Sequence, residues 1–130
     1  MKKTLLCLCF LFASVSVFAE TWTMTDQLGD MAIWTKSSGS IPTEYFSFSC
    51  VKGCSGVGTG IMHTTTDNFV TAEFDFHDMT TGASYVNIYI GKKDGKRVSG
   101  RFSSVNVDKQ WNPGYVGVWN ALISDGEDKK

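Results

Sequence analysis

From Thr21 onward the chain alternates apolar and polar residues at a spacing of two, and no window carries a convincing apolar repeat at 3.6 residues. A chain patterned in this way folds into half-buried strands. Abundant Thr, Val, Phe, Tyr and Gly with only two prolines agrees, because β-branched and aromatic side chains fit a pleated surface. The fold class expected is all-β.

In chain order, strands are predicted at Thr21–Thr25, Met31–Thr35 and Glu44–Cys50, with a turn at Asp26-Gln27-Leu28-Gly29-Asp30 and a Ser/Gly loop over Lys36–Ser40. Cys50-Val51-Lys52-Gly53-Cys54 then reads as a hairpin turn with glycine in the left-handed third position of a three-residue loop. That places Cys50 and Cys54 opposite one another, within the roughly 4.4–6.8 Å of Cα separation that a disulfide needs. The register continues with Phe48 opposite Gly56 and Phe46 opposite Gly58, rings lying across bare backbone. Gly56–Gly60 is thereby explained structurally. It lacks the Gly-Lys-Ser/Thr ending of a phosphate loop.

The same turn rule applied to Thr80-Thr81-Gly82 pairs Met79 with Ala83, Phe76 with Val86 and Phe74 with Ile88. Applied to Lys93-Asp94-Gly95, it pairs Lys92 with Lys96 and Ile90 with Val98. A two-residue Asp94-Gly95 turn is the competitor, and it would mix the two faces. The chain stays extended from Ser103 to Val107, turns at Asn112-Pro113-Gly114, and ends in an apolar strand, Tyr115–Ile123, expected to be covered on both sides. The sum is an antiparallel meander of about eight strands. A small up-and-down barrel is favoured over a β-sandwich, because consecutive hairpins need no crossover and closure removes exposed edges.

Residues 1–19 have the pattern of a secretory signal: Lys2 and Lys3, a short apolar run from Leu5 to Ala13, then Val17-Phe18-Ala19 as a cleavage site. The run is too short for a stable membrane anchor. Cys7 and Cys9 leave with it. Residues 20–124 are expected to form one all-β domain and 125–130 a charged tail. Without Lys2 and Lys3, ten basic residues face thirteen acidic ones and the formal charge is −3, which gives no footprint for nucleic acid. A secreted or periplasmic location follows, and with it an oxidised Cys50–Cys54 pair. The charged outward positions Glu73, Asp75 and Arg101 argue against an outer-membrane barrel.

Three candidate sites come from this register. The first is a polar and aromatic sheet face carrying Tyr85, Asn87, Tyr89 and Arg101, with Asp75–Asn87–Arg101 as one cross-strand row. Such a face joins flat area to hydrogen bonding and suits a protein or glycan partner. The second is Trp111, in a loop between polar amides, as a stacking or anchoring residue, whereas Trp22 and Trp119 fill the core. The third is catalytic: Glu73 and Asp75 with His77 as a hydrolase set, although one exposed strand offers little enclosure to tune their pKa values.

Cys50, Cys54, His63 and His77 make a zinc set conceivable, but the oxidising compartment favours the disulfide. No metal and no cofactor are predicted. The function expected is an exported, non-catalytic binding protein, an inhibitor or immunity protein being the concrete version. A barrel-pocket carrier of a small apolar ligand is the alternative, and the hydrolase comes after it.

Overall fold

The computed structural model describes residues 19–107 and 115–125. Trp111 and all but the last residue of the predicted signal lie outside that range, as does the tail beyond Asp125. The described chain is eight strands: β1 (Thr21–Asp26), β2 (Met31–Ser40), β3 (Thr43–Lys52), β4 (Gly56–Thr64), β5 (Phe69–Asp78), β6 (Ser84–Asp94), β7 (Arg97–Asn106) and β8 (Tyr115–Ser124). Each pairs antiparallel with its neighbour, and β1 pairs with β8 to close the barrel.

An eight-stranded barrel has an interior just wide enough for side chains to fill. Here rings fill it. Trp22, Trp34 and Trp119 are fully buried, with Phe46, Phe48, Phe74 and Tyr89 packed among them. Trp34 sits at the centre, its ring 4.8 Å from both Phe74 and Tyr89 and 5.3 Å from Trp119.

Rings this large need space, and glycines provide it. Gly60 lies between Phe46 and Phe74, and Gly58 between Phe48 and Phe76. A Cβ on Gly60 would stand 2.6 Å from Cδ1 of Phe74. Across the barrel, Gly91 pairs with Gly100 beneath Trp119, whose indole N–H reaches the carbonyls of Ile90 and Arg101 at 3.1 and 3.0 Å. The expected ring-over-glycine packing is present, two residues out of the expected register: Phe48 faces Gly58 rather than Gly56, and Phe46 faces Gly60 rather than Gly58. A shift of two leaves every side chain on its own face, so periodicity could not distinguish the two. The Cys50–Cys54 disulfide forms as expected, with Cα atoms 5.6 Å apart. The last paired rung is Ser49 with Val57, so the cysteines close a wider turn than a three-residue loop.

The larger correction concerns β6. Phe76 pairs with Tyr85 and Phe74 with Asn87, one residue away from the expected register. The turn after β5 holds four residues, Met79–Gly82, between Asp78 and Ala83. Asp78 donates its N–H to the Ala83 carbonyl at 2.8 Å. Its carboxylate accepts from the N–H groups of Thr80 and Thr81 at 2.8 and 3.2 Å. An aspartate that caps its own turn adds the residue that the glycine rule missed.

After β6, Asp94 pairs with Arg97 around a two-residue Gly95-Lys96 turn, neither of the two registers expected. Gly95, at φ +62°, stands first, as a type II′ turn requires. Two odd shifts turn β6 over. Tyr85, Asn87 and Tyr89 face the interior, and Ile88 and Ile90 face outward.

Two smaller differences remain. Lys36–Ser40 belongs to β2 instead of a loop, because a bulge at Lys36–Ser38 and Gly39 at φ +84° keep it paired with β3. The outer side of β8 is exposed at Val116, Val118 and Leu122, so that strand is covered on one side only.

Candidate functional site

In a meander, alternate turns share an end. The turns after β1, β3 and β5, together with the end of β7 and the start of β8, gather at one mouth of the barrel. They are tied to one another there. The N–H of Met79 donates to the Ser55 carbonyl at 2.9 Å. Gln27 takes the Val118 N–H on its Oε1 at 2.9 Å and donates from Nε2 to the Tyr115 hydroxyl at 2.8 Å.

Beneath these turns the ring packing stops short and leaves a recess of about 170 Å³. Its walls include Phe48, Phe76, Tyr85, Phe102 and Tyr115, with the Cys50–Cys54 bridge at one side and Asp26, Asp30 and Asp78 at the rim. Asn87 and Tyr89 also line it, and these are 7% and 2% exposed. A buried amide must be satisfied, and Asn87 accepts a 2.6 Å hydrogen bond from the Ser104 hydroxyl on its Oδ1.

The recess is electrically one-sided. Burial, followed by the nearby Asp26 carboxylate, raises the pKa of Asp30 above its usual 3.8. Gly53 contributes to that burial: at φ +80° it lies so close that an added Cβ would stand 3.2 Å from the Asp30 Cα. Burial also drives the Tyr89 hydroxyl far above the usual tyrosine range, with Asp26 and Asp30 adding to the rise and the Asn87 amide opposing it. Tyr89 therefore keeps its proton across physiological pH. The Asp26 carboxylate caps its turn through Oδ1, taking the N–H groups of Leu28 and Asp30 at 2.9 and 3.2 Å. The described ion pairs are Lys36–Glu44 and Lys96–Asp125, and neither touches this mouth.

The sequence-derived site residues divide accordingly. Tyr85, Asn87 and Tyr89 come together, but in the recess and not on an outer face. Arg101 is exposed on the outside, where its rung runs Thr71–Ile90–Arg101–Val118. Asp75 shares a rung with Val86 and Val105, so the Asp75–Asn87–Arg101 row does not exist. Glu73, Asp75 and His77 are exposed along the outer side of β5, where His77 Nδ1 lies 3.4 Å from the Ser84 hydroxyl. An outer concavity of about 360 Å³ includes Glu73 and Asp75 beside Tyr45 and Ile61, with fewer rings in its walls than the mouth. His63 and His77 are also exposed, and the two thiols that a zinc set would need are spent in the disulfide.

Asp26, Asp30 and Asp78 are the rim residues that sequence reasoning did not single out. Asp26 and Asp78 are the last residues of β1 and β5, and Asp30 lies in the turn before β2. All three fall at the end shared by the turns after odd-numbered strands, and that shared parity is the signal that places them together. No family model, characterised protein or solved structure matches the chain.

Proposed function

We propose that this chain is an exported, non-catalytic binding protein that engages its partner through the open mouth of its barrel. One observation carries the reading: the interior is filled with rings except for a recess at one end, where aromatic walls, a buried amide and carboxylates converge. Sites of that composition combine apolar contact with a few placed polar groups. The signal-like N-terminus and the disulfide support a secreted or periplasmic location. Glu73, Asp75 and His77 are all solvent-exposed along the outer side of β5, a setting that does little to tune an acid–base group, which favours binding over hydrolysis.

The apolar-carrier reading is favoured by the same cavity but limited by its size. Drug-sized ligands occupy pockets of roughly 300–1,000 Å³, and about 170 Å³ admits only a small group. A projecting side chain of a partner, or a ligand of similar bulk, fits better than a lipid or a pigment.

Capture from periplasm, envelope and culture medium tests the proposal. Leu28 is an exposed rim residue, and a Leu28→Trp substitution narrows the entrance without touching the core. Leu28→Trp is expected to lower capture at least tenfold, and Arg101→Ala to leave it unchanged. The opposite pattern would move recognition to the outer face of the sheet.

A further inference from the structure

The two ends of the barrel treat the same chemical groups differently. At the end reached by the turns after β2, β4 and β6, the buried Glu44 has its own cation, Lys36, at 3.1 Å. There too the Lys93 ammonium stands 5.7 Å from the centre of the Trp22 ring. Both a carboxylate and an aromatic ring are thus met by lysines from the chain itself. At the mouth, carboxylates and rings recur around an open recess, and no described cation pairs with Asp26, Asp30 or Asp78. Tyr89 is almost fully buried, and its hydroxyl lies beside the Asn87 amide in the field of both Asp26 and Asp30. A cation arriving there finds aromatic walls, a hydroxyl oxygen and carboxylates together.

We infer that the recess binds an alkylammonium group, supplied by the partner, with Asp26 and Asp30 as its counter-charges and the aromatic walls around its stem. Ring faces attract cations through their quadrupole, and the attraction grows when water is excluded. Size agrees. An apolar cavity of about 150 Å³ is known to hold a benzene-sized guest, so about 170 Å³ accommodates a lysine side chain's end or a small free amine. The turn caps are not sacrificed by such binding, because Asp26 caps through one oxygen and its other oxygen is not used in that cap.

This inference rests on the mouth being the recognition site, and the test separates the two claims. The exported chain is titrated calorimetrically, and by amide chemical-shift mapping, with n-butylammonium, n-butanol, butyrate and Nα-acetyl-lysine amide. Butylammonium is expected to bind at least tenfold tighter than butanol and butyrate, with shifts centred on Asp30, Asn87 and Tyr89. The double variant Asp26→Asn/Asp30→Asn keeps an Oδ1 acceptor for its turn. It should lose that preference while still folding, as near-ultraviolet circular dichroism would show, whereas Glu73→Gln changes nothing.

Binding of Nα-acetyl-lysine amide comparable to butylammonium assigns the group to a lysine of a partner protein. Binding of the free amine alone assigns it to a small molecule. Equal binding of butanol and butylammonium, or a preference that survives the double variant, overturns the cation inference and leaves the mouth as a neutral site. If no probe binds and Leu28→Trp does not affect capture, both readings fall.

Discussion

At the end reached by the turns after β2, β4 and β6 a buried carboxylate has a cation beside it, whereas at the mouth no described cation pairs with the carboxylates. Glu44, 3% exposed, is buried beside Lys36, so its charge is met within the fold. Asp30 is partly buried beside Asp26, a like charge, and the fold answers with a raised pKa rather than a lysine. The two ends should therefore respond differently to the loss of a charged group. Removing a group from a satisfied pair leaves a stranded charge, whereas removing one of two repelling carboxylates relieves a cost.

The largest effect expected is at the residue that separates the two ends. Trp34→Ala empties the centre of the ring cluster and should cost about 3–5 kcal/mol in urea denaturation. A loss below about 1.5 kcal/mol would mean that the interior is not one packed unit. Next comes Lys36→Met, which leaves Glu44 buried and unpaired. The Lys36 side chain keeps 31% exposure, so the cost expected is about 1–3 kcal/mol, below that of a fully buried pair. Asp26→Asn at the other end should stay within about 0.5 kcal/mol, since the cap survives. Equal losses at the two ends would erase the distinction drawn between them.

The smallest effect is on pH dependence. A folded-state pKa raised above 3.8 means that the folded chain holds the Asp30 proton to higher pH than the unfolded chain does. Relative to an Asp30→Asn variant, the wild type should gain stability as pH falls through the raised pKa, with the gain complete below 3.8. At neutral pH the variant should be the more stable of the two. Denaturation curves for both proteins at several pH values check the sign, and a wild type that loses stability relative to the variant over that window would contradict the burial of Asp30.

Much of this was legible in the residues. Strand number, the disulfide and the meander follow from alternation and from glycines placed in turns. The interior sides of β5 and β7 do as well, because Phe74, Phe76, Val98 and Phe102 alternate with charged or hydroxyl-bearing residues. The site was legible only in part. The spacing groups Tyr85, Asn87 and Tyr89 on one side of β6, but that side is the interior and not the outer face. Of the rim aspartates, Asp26 and Asp30 read only as turn residues and Asp78 only as part of a strand.

Alternation by itself determined that this chain would be a sheet of hairpins, since polar and apolar residues at a spacing of two leave a strand one face to bury. It could not orient β6. Between Tyr85 and Ile90 both faces are hydrophobic enough for a core, tyrosines on one and Val86, Ile88 and Ile90 on the other. Only the closed barrel decided between them. The Asp78 cap lengthened one turn, the Gly95-Lys96 turn shifted the next, and a lumen already crowded by Trp34 and Trp119 took the flat ring of Tyr89 at its centre. That choice moved the tyrosines from the surface into the recess and left the isoleucines outside.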